Sequence, residues 1–260
     1  MNIVVCVKHV PDAQSDRTFT EDNTTDREGV DGLLSELDEY AVEAALQIVD
    51  GDEGSEVTVL TVGPGQAADA VKKALQMGAH KAVHVSDEAI AGSDAPATSL
   101  VLAEAIKKIG NPDLVLMGLA STDGTMSVVP AMVAERLGLP QVTQVSTIEV
   151  NDGSVSGRRD GDVASETIEA SLPAVVSVTD QTNEPRYPSF KGIMAAKKKP
   201  VETWSLSDIG VDAGQVGLEA SWTKVLSFAA RPPREQGEIV TDEGDGGTKL
   251  AEFLSAQKFV

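Results

Sequence analysis

The sequence predicts an α/β fold: a mostly parallel sheet covered by helices on both faces, with an antiparallel extension and a C-terminal arm. Three observations carry this expectation. Over residues 2–117, short β-branched runs alternate with helical apolar periods in the order β, α, β, α, β, α, β, joined by short connections, as parallel sheets require. From residue 141 the strand-like runs follow one another with almost no helix between them. Beyond Pro200 apolar periodicity thins out, which sets the expected boundaries at 1–200 for the α/β domain and 201–260 for the arm.

Each element has its own signal. Residues 2–7 are a β-branched run that reads as a buried strand, and residues 11–32 are polar and without period, as in a long loop. Leu33, Leu34, Leu37, Ala41, Ala44, Ala45 and Ile48 recur at spacings of three and four, which predicts a helix over 33–49 with Ser35 available as its cap. A Gly-rich break at 51–54 leads to a strand over 55–62, a helix over 66–77 stopped by Gly78, and a strand over 82–85. A helix over 100–109 is closed by Gly110 and Pro112, and a compact apolar strand follows at 114–117. The antiparallel part comprises 142–150, 154–159, 166–171 and 174–178, with a turn signal at Asn151-Asp152-Gly153. The arm holds Pro232-Pro233, an acidic Gly-rich run at 241–247 and one helix over 249–256. Such an arm cannot bury a core of its own and is expected to lie on another chain.

Composition excludes several function classes. Among 260 residues, 21 Lys and Arg face 41 Asp and Glu, a formal charge of −20. Phosphate backbones and anionic membranes are bound through Lys and Arg, so this chain has no general attraction for either. Excess acid fits either a solvated surface in a salt-rich cytoplasm, such as that of a halophilic archaeon, or an interaction face for a basic partner, and the dispersal of the acids favours the first. A single cysteine, Cys6, excludes an internal disulfide framework and a cysteine-based metal site, and the three scattered histidines make a His cluster an unfavoured reading. No apolar run approaches the roughly 18 residues of a spanning helix, so a cytoplasmic protein is expected.

Three stretches could carry chemistry. Gly63-Pro64-Gly65-Gln66-Ala67-Ala68 follows a strand and opens a helix in the manner of a dinucleotide fingerprint, although Pro64 removes an amide and a tight turn explains the pattern as well. Residues 118–130, GLASTDGTMSVVP, follow the fourth strand at its carboxyl end, where open parallel sheets bind ligands; small residues let amides approach, and a helix starting near Ser127 offers N–H groups to an anion. No nucleophile stands beside a base, and His9, His80 and His84 read as structural. The third stretch, 183–200, NEPRYPSFKGIMAAKKKP, places five bases (Arg186, Lys191, Lys197, Lys198, Lys199) and no acid between Arg186 and Lys199. Phe190, Ile193 and Met194 within that cationic rim have the composition of a docking patch, where the bland alternative is a short core helix with solvated lysines.

The same stretch carries a resemblance. Leu172-Pro173-Ala174-Val175, Asn183-Glu184-Pro185-Arg186-Tyr187-Pro188 and Met194-Ala195-Ala196-Lys197-Lys198-Lys199-Pro200 resemble the signature of the electron transfer flavoprotein beta subunit, also called FixA. Val7-Lys8-His9-Val10-Pro11-Asp12, residues 39–45, Gly63-Pro64, residues 74–79 and residues 113–118 are similar too, so the likeness spans essentially the whole chain.

The resemblance implies a Rossmann-like nucleotide-binding sheet of the adenine nucleotide alpha hydrolase type. It implies an electron carrier subunit, not an enzyme, in a heterodimer whose alpha subunit holds most of one shared FAD. It further implies electrons received from acyl-CoA and related dehydrogenases and passed to a quinone oxidoreductase. In this subunit an AMP would lie against Cys6, the Ser35 to Asp38 turn, Val62 with Gly63, Gly118, and the loop that contains Asp123, Gly124, Thr125, Ser127 and Val128. Dehydrogenase docking would fall on Arg186, Tyr187, Phe190, Lys191, Ile193 and Met194, with Phe190 as anchor. The family's Asn-Pro before the first helix is Ser35-Glu36 here, and the usual Gly-Gln of the phosphate loop is Met126-Ser127, so AMP and the second FAD of electron-bifurcating members both stay open. The competing classes are a stand-alone nucleotide-binding regulator of the universal stress type and an ATP-pyrophosphatase-like enzyme. The first needs neither the arm nor the basic island, and the second needs a Ser-Gly-Gly loop that does not follow the first strand.

Overall fold

The computed structural model describes residues 1–110, 112–234, 236–237 and 239–260, in two compact units, Met1–Leu226 and Ser227–Val260. The first unit is built on a seven-stranded parallel sheet. In chain order the elements are β1 (Asn2–Cys6), β2 (His9–Pro11), β3 (Gly32–Leu34), α1 (Glu36–Val49), β4 (Glu56–Val62), α2 (Ala68–Met77), β5 (Lys81–Val85), α3 (Ala95–Ile109) and β6 (Leu114–Gly118). There follow α4 (Val129–Leu137), β7 (Gln141–Val145), β8 (Thr147–Asn151), β9 (Ser154–Asp160), β10 (Ser165–Ser171), β11 (Ala174–Val178), α5 (Phe190–Ala196), β12 (Val201–Trp204) and the short α6 (Gly217–Ala220). The second unit contains α7 (Gly246–Ala256), which leaves Leu250 and Phe253 exposed.

The strand order is β12-β5-β4-β1-β6-β11-β7, and every pairing is parallel. Successive side chains of a strand point to opposite faces, and both faces are covered. Ile3, Val5, Val57, Val59, Leu114 and Leu116 pack with α1 and α2, while Val4, Leu60, Val83, Val85, Val115 and Met117 pack with α3 and α4. Burial on both faces is why these strands read as unbroken apolar runs.

Four local expectations are corrected. Leu33 and Leu34 keep the helical spacing but lie in β3, which pairs antiparallel with β2, so α1 starts at Glu36. Ser35 occupies the cap position without capping, and its hydroxyl is buried with no partner among the described residues. The strand expected over 142–150 is two strands, because Gln144 takes a positive φ of 60° and Ser146 turns to donate its amide to the Arg158 carbonyl. As a result β7 and β11 join the parallel sheet, and the antiparallel part is a separate three-stranded sheet, β10-β9-β8. Fourthly, the chain does not leave the body at Pro200: Val201 to Trp204 pair with Ala82 to Val85 as an outermost strand, and Trp204, Leu206, Ile209 and Val211 join the core.

Candidate functional site

The predicted nucleotide residues converge at the carboxyl edge of the parallel sheet. Strand β1 is the turning point of the topology: the chain moves from it to β4 and β5 on one side and later to β6 on the other. Ligands of open α/β sheets bind in the crevice at such a point. Cys6 ends β1, Val62 ends β4 and Gly118 ends β6, while Ser35 and Asp38 stand at the start of α1.

Asp38 bridges the crevice. Its buried carboxylate accepts the Lys8 amide at 2.8 Å and also the amide of Gly118, one from each bank. Burial raises its pKa to about 7, outweighing the two amides and the Lys8 charge that favour the anion. Only glycine fits at 118, because a Cβ there would stand 2.5 Å from the Leu37 carbonyl oxygen and 2.6 Å from Asp38 Oδ1. The Cys6 thiol is buried and burial, with Asp38 nearby, pushes its pKa far up, so it packs as a small apolar group.

Asp123 organises the loop after β6. Lys8 Nζ reaches it at 2.9 Å and Arg27 Nη2 at 2.8 Å. Burial works against its charge, but Lys8, the Ser121 hydroxyl and Arg27 outweigh burial and hold it well below the usual carboxylate range. Arg17 donates to the Thr122 carbonyl at 2.5 Å, so three bases converge on one loop of an acidic chain. Sequence reasoning missed Lys8, Arg17 and Arg27. Lys8 could have been found from its place directly after the first strand, whereas the two arginines lie in a stretch with no periodic signal.

The loop is strained and offers donors. Thr125 and Ser127 take φ values of 49° and 57°, a region costly for side chains other than glycine and concentrated at functional sites. The amides of Gly124 and Thr125 are used internally, on Ser121 and Asp123. Those of Met126, Ser127 and Val128 have no acceptor among the described residues, and α4 begins immediately after them with Pro130 in its first turn. The buried hydroxyls of Ser35 and Thr122 are also without a partner among the described residues. Unsatisfied donors at a helix start beside three bases fit an anionic, phosphate-bearing ligand. Gly63 is less available, since its amide donates to the Val85 carbonyl and its carbonyl meets His84 Nε2 at 3.0 Å.

The basic island lies apart from this crevice, on the connection from β11 to β12. Arg186 is clamped by α1: its Nε and Nη2 meet Glu43 at 2.7 and 3.0 Å, Nη2 meets Asp50 at 2.9 Å, and its amide donates to Glu43 at 3.2 Å. Asn183 Nδ2 donates to the Tyr40 carbonyl on the same helix. Lys199 Nζ donates to the Leu75 and Gly78 carbonyls at the C-terminal end of α2, where a cation satisfies orphan carbonyls. Two of the five bases are thus tied to the body of the protein, Arg186 through Glu43 and Asp50 and Lys199 through the end of α2. Tyr187 (90 % exposed), Phe190 (81 %), Ile193 and Met194 stand out from the surface together with Lys191, Lys197 and Lys198.

Comparison with known proteins agrees with this architecture. The electron transfer flavoprotein domain family matches residues 22–209. The chain is 52% identical to the electron transfer flavoprotein subunit beta of Mycobacterium leprae, over 100% of this chain and 99% of that protein. It is 40% identical to the caffeyl-CoA reductase-Etf complex subunit CarD of Acetobacterium woodii, over 93% and 92%, and 34% identical to the electron transfer flavoprotein subunit beta of Megasphaera elsdenii, over 100% of both. With a crevice at the turning point of a parallel sheet and full-length likeness to these proteins, the chain belongs to the electron transfer flavoprotein family as a beta subunit.

Proposed function

We propose that this electron-transfer subunit pairs with an alpha subunit in a cytoplasmic heterodimer, acts as a carrier and not as an enzyme, and receives electrons from acyl-CoA-type dehydrogenases that dock on Tyr187, Phe190, Ile193 and Met194. The observation that carries the docking reading is the large aromatic Phe190 held at 81 % exposure on a short helix rimmed by three outward lysines. An exposed apolar anchor within a charged rim is the composition of an interface centre. Full burial of one such side chain contributes about 1.5–3 kcal/mol, enough to orient a donor without long residence. The lysines steer acidic partners, and salt weakens that steering.

FAD, shared with the alpha subunit, supplies the one- and two-electron chemistry of the heterodimer when bound. The crevice of this chain is proposed to hold AMP, with Met126, Ser127 and Val128 amides on its phosphate, the Ser35 and Thr122 hydroxyls within the pocket, and Lys8 and Arg27 keeping Asp123 from repelling the anion. The residues fit any nucleotide phosphate, and a second FAD is the alternative. Quinone oxidoreductase is the proposed acceptor, and the exposed apolar residues of the arm, Phe253 and Leu250 among them, are proposed to rest on the alpha subunit.

The test is Phe190→Ala in the heterodimer. Its stopped-flow reduction by an acyl-CoA dehydrogenase should slow about tenfold or more, as the loss of one buried anchor implies, with flavin and extracted AMP unchanged. Reduction at the parent rate overturns the docking assignment, and extraction of two FAD per heterodimer overturns AMP.

A further inference from the structure

The clamp on Arg186 belongs neither to the nucleotide crevice nor to the exposed apolar cluster. Glu43 is buried in the middle of α1, one turn before the buried Leu46 on the same face, and a buried carboxylate there brings a desolvation cost that an apolar residue would avoid. All of its close donors but one come from a single residue: it takes the guanidinium of Arg186 at two nitrogens and the Arg186 backbone amide as well, with Gln47 Nε2 the remaining donor at 2.9 Å. Holding a side chain and its own backbone at once fixes the direction of the chain at that residue, which a side-chain ion pair alone does not do.

That direction is passed on to the apolar cluster. Tyr187 is the next residue. Pro188 then restricts φ, and Ser189 starts α5 by accepting the Gly192 amide at 3.0 Å on its hydroxyl. Only three residues separate the clamp from Phe190, and few of their torsions are soft. Farther on, α5 rests on α2 where Gly192 meets the Gln76 carbonyl and Lys199 holds the end of that helix. The exposed cluster is therefore suspended between a grip on α1 and a seat on α2.

We propose that Glu43 is a positioning residue for electron entry: through Arg186 it sets the direction in which Tyr187 and Phe190 are offered to the donor flavoprotein. The inference rests on the docking reading above. A purely structural pair would lower the melting temperature and leave the donor kinetics of the folded heterodimer unchanged. Positioning instead places the cost in the encounter, because an anchor that wanders must be ordered at each binding event.

The experiment uses the heterodimer and an acyl-CoA dehydrogenase with its acyl-CoA, with electron acceptance measured against heterodimer concentration at a temperature where each variant is folded. Glu43→Gln keeps the shape and should raise KM for the heterodimer about five- to tenfold with kcat within about twofold, and should lower hydrogen-exchange protection of residues 187–194. Arg186→Lys, which keeps the charge but loses the fork, should move KM in the same direction, and the double variant should be no worse than the worse single one, as for two residues acting as a unit. If Glu43→Gln does not assemble, Arg186→Lys alone decides. An unchanged KM in the folded variant, with Phe190→Ala raising KM in parallel, overturns the positioning role and leaves docking intact. An unchanged KM in Phe190→Ala overturns docking, and the inference with it.

Discussion

At the scale of single residues, Asp38 links pH to the crevice. A carboxyl near 3.9 in the unfolded chain and at about 7 in the folded one binds more protons when folded between those values. Stability from this group is therefore present at low pH, falls as pH rises through that window, and is gone above about 7. Asp38→Asn should cost stability at pH 5, where the parent carboxyl is neutral, and the deficit should shrink by pH 8, where the parent holds a buried charge and the amide does not. Thermal unfolding at pH 5, 6.5 and 8 checks this; a constant deficit refutes it. How much of the crevice could be read from sequence divides on the same ground. Gly118, Asp123 and Ser127 announce themselves because they follow an apolar strand. Arg27 does not, since it meets Asp123 across 96 residues of chain, and Glu43 meets Arg186 across 143. A pairing decided by tertiary closure leaves no local period.

At the scale of elements, the seat of α5 on α2 depends on a missing side chain. A Cβ at Gly192 would stand 2.5 Å from the Gln76 carbonyl oxygen, a backbone atom that cannot swing away. Gly192→Ala should lift α5, destabilise the fold by about 1–3 kcal/mol and speed hydrogen exchange over residues 190–196. Unchanged exchange would mean that α2 yields instead. The helices α1 to α3 were legible because each packs one apolar stripe on a sheet, and stripes have a period. The starts of elements were less so: Leu33 and Leu34 share the spacing of α1 yet belong to a hairpin strand closed across a long polar loop. Strand β12 escaped because, of Val201 to Trp204, only Trp204 is buried, and four residues with one core contact do not rise above loop composition.

At the scale of the whole molecule, the −20 charge and the basic island are one distribution. Acids cover the body, and the connection from β11 to β12 carries the exception, two of its cations turned inward to fasten it and three left facing solvent. That connection crosses from one side of the sheet to the other, passing α1 and α2, before it ends in β12. A chain ending after Leu226 retains the whole sheet, and one ending after Pro200 lacks its outermost strand. The longer should give native-like circular dichroism and a monomeric elution volume. The shorter should elute as large assemblies or precipitate; a monodisperse short form would contradict this. The reason is that without β12 the amides and carbonyls of Lys81 to Val85 on that side face water in a row, on a strand whose Ala82, Val83 and Val85 are apolar, and such an open edge is a template for another copy of itself. The connection proposed to meet the donor thus ends in the strand that closes the sheet against aggregation, and a cut or displacement there would disturb both.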